Sequence, residues 1–345
     1  MLKAAVVILN WNGKDFLKRF LPSVVAHSEI EGVRIFVADN GSEDHSVEFL
    51  RSTYPEIGII PLKKNYGFAE GYNRALAQLE AEYFLLLNSD VDVSAGWLNP
   101  LIELLDSNPL VAACMPKIMS AERNDLFEYA GGAGGFIDRY GYTFCQGRIF
   151  DSIETDYGQY DKQRDIFWAS GACLMIRGPL FKLAGGLDPD FFAHMEEVDL
   201  CWRLKNRGYR IMVEPASLVY HLGGGTLPQG NPRKTFLNYR NNLFILYKNL
   251  PEEFLGRILF SRLLLDGLSS FRFLLKFSLG EFFSVFRAHM AFYRYYGRYK
   301  QFRKEEQKFI SRFEHREIYP GSIVKEYFLK KKITFQSLRW IYRNP

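Results

Sequence analysis

The first hundred residues alternate between short apolar runs and helical patterns, and that alternation constrains the fold more than any other feature. "AAVVILN" (4–10), "VRIFVADNGS" (33–42), "IGIIPL" (57–62) and "EYFLLLN" (82–88) read as strands. Between them, helical periodicity covers Asp15 to about Ala26, then residues 44–53 and 68–80. Pro22 is expected to bend the first helix or end it early, because proline removes a helical hydrogen bond. Strands separated by helices make βαβ units and a mostly parallel sheet covered on both faces. In such sheets ligands sit outside the carboxyl ends of the strands. Three of these ends carry polar clusters, "NWNG", "DNGSED" and "NSDVD". The chain is therefore expected to open with a nucleotide-binding α/β domain.

From 110 to about 170 the pattern loosens. "GGAGGFIDRYGY" is rich in glycine and aromatics, which suits a flexible loop or hairpin near a ligand better than a core element. Regularity returns at "FWASGACLMIRG" (167–178), a strand beginning at Trp168, followed by a helix over 179–184. Residues 196–207 read as a helix ended by Gly208, and 209–215 and 217–226 as extended segments. With 345 residues, 48% of them apolar, the chain can bury a sizeable core. The expected division is a catalytic domain over 1–250 and a segment over 251–345. The four cysteines, Cys114, Cys145, Cys173 and Cys201, form no C-x-x-C pair, which fits a reducing compartment. A strand-like run at the start, without an apolar leader, makes secretion improbable.

The chemistry concentrates at "FLLLNSDVDVSAGW", where a buried-type strand stops at Asp90 and Asp92. Carboxylates at the end of a parallel strand face the ligand crevice, and their oxygens suit a hard divalent cation bridging to substrate phosphates. At this point the chain resembles a known family. "VILNWNG", "VADNGSED", "NYGFAEGYN", "LLNSDVDV", "SGACLMIRG", "GGLDPDFFAHMEEVDLCWRL" and "VYHLGGGT" occur in the order seen in glycosyltransferase family 2, with its rhamnosyltransferase-like branch the closest likeness. The resemblance covers roughly residues 3–248.

That resemblance implies a GT-A fold and transfer of a sugar from a nucleotide-diphosphate donor, with inversion, aided by Mg²⁺ or Mn²⁺. Asp39 would bind the donor's base or ribose, with Asn10, Asn40, Asn65, Gly67, Gly71 and Asn73 on the nucleotide side. Asp92, helped by Asp90, would hold the metal, with His221 beside the metal and diphosphate. In "HMEEVDLCWR" the family commonly has Glu-Asp-x-Asp with the second acid as base, which places the base at Glu197. A glutamate there adds one methylene and leaves Glu196 as the alternative. Asp199 belongs to the same cluster but stands four residues before Arg203, a helical ion-pair spacing. Trp168 to Gly171 would shape the sugar or acceptor pocket. "GGGTLPQGNPRKTFLNYRNN", with Arg233, Lys234 and Arg240, would be a lid on the donor phosphates, unless it is an ordinary solvated loop.

The tail differs in charge. Residues 251–345 hold 19 Lys/Arg against 9 Asp/Glu, whereas the first 250 hold 25 against 30. "ILFSRLLLDGLSSFRFLLKFSL" (258–279) places Arg262, Asp266, Arg272 and Lys276 in one helical sector, with Leu and Phe elsewhere. Two readings follow: a helical hairpin packed on the catalytic domain, or peripheral contact with an anionic membrane. Leu and Phe are too dense for a nucleic-acid face. The acceptor is expected to be a glycan or lipid-linked oligosaccharide, and the enzyme to work in the cytoplasm at the inner face of the plasma membrane. Two rivals are a nucleotidyltransferase, for which "NWNGKDF" offers only Lys14, and a non-catalytic sugar-nucleotide binding protein, which would have lost acids present here.

Overall fold

The computed structural model describes residues 1–223, 230–310 and 315–340. The N-terminal half alternates as its periodicity predicts: β1 (Leu2–Asn10), α1 (Lys14–His27), β2 (Val33–Asp39), α2 (Ser46–Thr53), β3 (Gly58–Pro61), α3 (Gly67–Leu76), β4 (Ala81–Asn88), β5 (Val91–Val93), α4 (Leu98–Ser107) and β6 (Val111–Ser120). A run of short strands follows: β7 (Gly135–Asp138), β8 (Thr143–Cys145), β9 (Arg148–Ile149), β10 (Ser152–Ile153) and β11 (Arg164–Ile166). The chain then forms β12 (Cys173–Arg177), α5 (Gly178–Leu183), α6 (Glu196–Asn206), β13 (Arg210–His221), α7 (Pro232–Asn249), α8 (Glu252–Leu275), α9 (Leu279–Glu306) and β14 (Ile318–Tyr319).

The main sheet has nine strands in the order β11-β13-β6-β12-β4-β1-β2-β3, with β5 paired to β13. β1 pairs in parallel with β2 and β4, and β6 with β13, while β12 runs antiparallel between β4 and β6. The carboxyl ends of β1, β2, β4 and β13 therefore lie on one edge. Helices cover both faces, so the central strands are apolar throughout: Tyr83 to Leu87 of β4 are all buried.

Several sequence expectations change here. α1 runs through Pro22, because Leu17, Phe20, Leu21 and Val24 bury one stripe on both sides of it and hold the two halves to the sheet. The extended segments expected over 209–215 and 217–226 meet in one strand, β13, which ends at His221, residues 224–226 lying outside the described residues; its pairing with β6 jumps from Glu214 to Leu218 across Pro215. Proline offers no amide to a ladder, so the strand bulges there and resumes.

"GGAGGFIDRYGY" is not a flexible loop. It builds the buried hairpin β7–β8 at the centre of a second sheet, ordered β10-β9-β8-β7-β14. A Cβ at Gly135 would lie 2.1 Å from the Trp168 indole. Glycine there lets the ring stack directly on backbone. Trp168 donates its indole N–H to the Phe136 carbonyl at 2.9 Å, and the chain enters β12 only at Cys173.

The tail completes this second sheet. β14 pairs in parallel with β7, the Ile323 amide donates to Asp138 Oδ2 at 2.9 Å, and Phe335 stacks on Phe136 at 4.9 Å between centroids. α8 and α9 form a hairpin against α7, with Phe244 and Tyr299 rings 4.5 Å apart. The expected common polar sector of α8 is divided. Arg262 and Asp266 are buried, paired at 2.7 Å, with the guanidinium 4.0 Å from the Tyr142 ring, whereas Arg272 and Lys276 are exposed.

Residues 251–345 thus supply core to the first 250. Truncation after Leu250 would uncover Phe136, Phe144, Phe244 and Tyr247, which are all buried in the full chain. The truncated protein is expected to aggregate when expressed; a soluble, monodisperse species with a cooperative melt on size exclusion and calorimetry would refute this interdependence.

Candidate active site

The first group lies at the ends of β1 and β2, where Asn10 and Asp39 stand opposite each other. Asn10 Nδ2 donates to Asp39 Oδ2 at 3.1 Å, and the Ser42 amide donates to Asp39 Oδ1 at 3.0 Å. The turn chemistry of "DNGS" and a ligand-side position for Asp39 therefore coexist. Asn40 and Asn65 shape the next turn: Asn40 Oδ1 accepts from the Tyr66 amide at 3.0 Å, and Asn65 Oδ1 accepts from Gly67 at 2.8 Å. Gly67 has φ +81°, and a Cβ there would lie 2.6 Å from the Phe192 ring, so only glycine fits. Asn73 is committed elsewhere. Its amide donates to the Leu187 carbonyl at 2.7 Å and accepts from the Leu187 amide at 2.9 Å, tying α3 to the loop before α6.

The second group lies at the ends of β4 and β13. His221 Nε2 is 3.2 Å from Asp90 Oδ1, and its Nδ1 is 3.3 Å from Glu128 Oε1. All three side chains are buried. Burial alone would pull the imidazole pKa down, but hydrogen bonds with Asp90 and Glu128 raise it to about 10. Burial opposes ionisation of Asp90 too, yet its contacts with His221 hold it below the usual carboxylate range. Asp92 follows in β5, opposite Tyr220, and is only partly buried. Glu128 was invisible in the sequence because it falls in the segment read as irregular. Its Oε2 accepts from the Ala130 amide at 2.5 Å, so it holds His221 from a fixed position.

The third group opens α6. Phe192, His194 and Met195 have φ of +64°, +69° and +72°, three residues other than glycine with positive φ within four positions. Asn241 holds this backbone, donating to the carbonyls of Phe191, Ala193 and His194 at 3.1, 2.9 and 2.7 Å. No sequence signal singles out Asn241. The strained loop delivers Glu196 and Glu197 into the first turn of α6. Burial pushes Glu197 up to about 7, against backbone hydrogen bonds of the helix start that pull it down. Burial, with Glu197 next to it, raises Glu196 well above its ordinary value. Glu197 faces Gly171, where a Cβ would lie 3.2 Å from the Phe68 ring and 4.0 Å from the Glu197 carboxyl carbon.

Three residues expected at the site have structural duties instead. Asp199 is wholly buried; burial would raise it, but Lys248 and Arg203 carry it below the ordinary range. Arg240 donates to the Asp190 and Phe191 carbonyls at 2.7 and 3.1 Å, supporting the strained loop rather than facing phosphate. Trp168 belongs to the second sheet's core. Of the expected lid, residues 224–229 lie outside the described residues, and Pro232 onward is α7.

The carboxylates of Asp90 and Asp92, just after β4, are of the kind that suits a hard cation. Among the described residues, no three His, Cys, Asp or Glu side chains form a ready-made cage. A Mg²⁺-type ion needs none, taking one or two protein ligands and completing its shell from phosphates and water. Asn10 Oδ1, Glu196 Oε2 and Glu197 Oε2 are buried acceptors with no hydrogen-bond partner among the described residues.

A mixed α/β sheet with acids gathered at its carboxyl edge defines a nucleotide-sugar type of transferase fold. The model of glycosyl transferase family 2 matches residues 5–177, and the chain belongs to that family, in its rhamnosyltransferase-like branch. It is a glycosyltransferase. It is 28% identical over 232 residues to N-acetylglucosaminyl-diphospho-decaprenol L-rhamnosyltransferase of Mycobacterium tuberculosis, covering 63% of this chain and 75% of that one. Rhamnosyltransferase WbbL of Escherichia coli K12 is 23% identical over 223 residues, covering 63% and 82%. Among solved structures, GalNAc-T7 with UDP, GalNAc and Mn²⁺ superposes with TM-score 0.56 at 16% identity, over 72% of this chain and 48% of that one. Mannosyltransferase PcManGT from Pyrobaculum calidifontis, with GDP-Man and Mn²⁺, gives 0.50 at 12% identity over 96% and 88%. At those identities the structural likeness establishes the GT-A fold.

A base must be ionised to take a proton. With Glu197 at about 7, turnover is expected to rise with pH through that value, with the half-maximum near it. The linked stability effect has the opposite sign. A folded-state pKa raised above the ordinary value favours the neutral form, so this contribution is present below the ordinary glutamate range and lost as pH rises through about 7. Glu197→Gln should remove the acid limb and lower turnover roughly 10²–10⁴-fold. A limb that persists in Glu197→Gln but vanishes in Glu196→Gln would reassign the role.

Proposed function

We propose that this glycosyltransferase transfers a sugar, with inversion, from a nucleotide-diphosphate donor such as dTDP-rhamnose or a UDP-sugar to a glycan or lipid-linked acceptor. The observation that carries the reading is the convergence at the sheet's carboxyl edge. Asp39 ends β2, Asp90 pairs with His221 at the ends of β4 and β13, and Glu197 opens α6 beside Gly171. Relatives bearing rhamnosyltransferase names and neighbours holding UDP or GDP-Man with Mn²⁺ support it.

Glu197 accepts the acceptor hydroxyl's proton as that oxygen attacks the anomeric carbon and the nucleotide diphosphate departs from the opposite face. A single displacement of this kind inverts the centre. Asn10 and the Ser42 amide fix the Asp39 carboxylate, so it meets base or ribose without reorganising. Asp92, helped by Asp90, would hold Mg²⁺ or Mn²⁺, which would offset charge developing on the departing diphosphate. His221, its imidazolium held between Asp90 and Glu128, would add positive charge beside that diphosphate. Work on a lipid-linked acceptor is consistent with peripheral contact at the inner face of the plasma membrane; among the described residues no helix is long and apolar enough to cross a membrane.

The test is the purified full chain with a panel of nucleotide sugars and Mn²⁺ or Mg²⁺, with anomeric configuration read by NMR. Metal-dependent turnover of one donor with inversion is expected. Asp90→Asn and Asp92→Asn should each lose both turnover and Mn²⁺ binding measured by electron paramagnetic resonance. Retention of configuration, or an Asp90→Asn variant that binds Mn²⁺ normally, would overturn the assignment.

A further inference from the structure

The α8–α9 hairpin has its polarity turned inside out. Its inner side carries Arg262, Asp266 and His289, with Asp266 Oδ2 3.2 Å from His289 Nε2 and Arg262 Nε 2.7 Å from Asp266 Oδ1. Its outer side, toward the turn between the helices, carries large apolar side chains. Leu268 is 68% exposed, Leu275 65% and Phe277 90%, and Phe271, Leu279 and Phe283 are more than half exposed. A helix folding only against its own domain hides its leucines and shows its arginines. Contiguous apolar surface on this scale marks an interaction site.

We infer that the outer face of this hairpin is a wedge that enters the headgroup and upper acyl layer of an anionic bilayer and sets the site mouth at headgroup level. The inference rests on the membrane contact proposed above and identifies the surface that makes it. Charge selects this occupant over a second copy of the chain. Between Phe254 and Lys304 the only acids are Asp266, which is buried, and Glu281, which accepts from Thr235 Oγ1 at 3.2 Å. The exposed charges flanking the apolar residues are Arg272, Lys276 and Arg287. Two copies meeting through this face would oppose like charges, whereas anionic headgroups complement them.

Position gives the wedge its use. The hairpin turn lies against the start of α7: a Cβ at Gly280 would be 2.9 Å from the Pro232 ring, and Arg287 stands 5.9 Å from the Phe236 ring. One turn along, the Arg233 guanidinium lies 4.9 Å from the ring of Phe192, in the strained loop that delivers Glu197. A bilayer touching the hairpin turn therefore adjoins the loop that presents the candidate base. An acceptor with its hydrocarbon in the bilayer and its hydroxyl in the headgroup layer could reach Glu197 without leaving the membrane.

The experiment uses the full chain with vesicles of phosphatidylcholine alone or with phosphatidylglycerol, donor hydrolysis being measured on the same preparations. The protein should sediment with anionic vesicles at low salt and less so as salt rises. Leu268→Glu with Phe277→Glu should lower partitioning roughly tenfold or more per side chain, with unchanged melting temperature and donor hydrolysis. As a second readout, a polarity-sensitive fluorophore on Phe277→Cys should shift to the blue with anionic vesicles; the four native cysteines are buried. Sedimentation that survives the double substitution, or an unshifted probe on sedimented protein, overturns this surface while membrane contact stands. Absence of sedimentation alongside normal hydrolysis overturns both the wedge and membrane contact, and leaves the glycosyltransferase reading intact. A dimer in light scattering that the double substitution dissociates, without vesicle binding, assigns the face to a second copy and also overturns the wedge.

Discussion

The arrangement depends on one buried charge. Asp199 sits in α6 with no exposure to water, and its carboxylate is shared by Arg203 Nε and Lys248 Nζ, each at 2.8 Å, and Asn249 Nδ2 at 3.0 Å. Lys248 also reaches Asp188 at 2.6 Å, and Arg203 donates to the Gly186 carbonyl at 2.7 Å. α6, α7 and the loop from Gly186 to Asp188 are thus joined through a single centre. Removing one partner from such a buried cluster typically costs about 3–5 kcal/mol, because the remaining charge has no water to turn to. α6 carries Glu197 two residues before Asp199, so the same anchor that fixes the helix fixes the candidate base.

Around that anchor the protein holds a backbone that would not hold itself. Residues other than glycine at positive φ cost of order 1–3 kcal/mol each, and Phe192, His194 and Met195 are three of them within four positions. Asn241 and Arg240 from α7 bind the carbonyls of that loop. The tail then packs on α7 through Tyr299 and Phe292, so the helix supporting the site is itself supported by residues distant in sequence. Catalytic domain and tail are one mechanical unit.

Much of the fold was legible locally. β1, β2 and β4 are buried strands ending in polar clusters, and each ended where its run of apolar residues met Asn10, Asp39 or Asn88. Acids at those ends were found because the carboxyl edge of a parallel sheet is fixed by topology alone. The departures lie at residues whose contacts depend on partners far along the chain. Asn73 has a ligand-side position in the sequence, and its amide matches the Leu187 backbone. Trp168 is expected at a pocket, and Gly135 makes room for its ring in a second sheet. Glu128 and Asn241 carry no local signature, since their partners are His221 and the loop at Phe191 to His194.

The sequence by itself determined the alternation of strand and helix, the polar strand ends and the unequal charge of the two segments, because these follow from backbone hydrogen bonding and side-chain periodicity within a few residues. Tertiary structure alone decided that an acid stands beside His221, since the pairing of β5 with β13 brings the histidine to Asp90, just before β5. It also decided the direction of the hairpin. Periodicity reveals that α8 has two faces but not which is buried; Arg262 turned inward because Asp266 and the Tyr142 ring could hold its charge away from water, and the leucines were left outside.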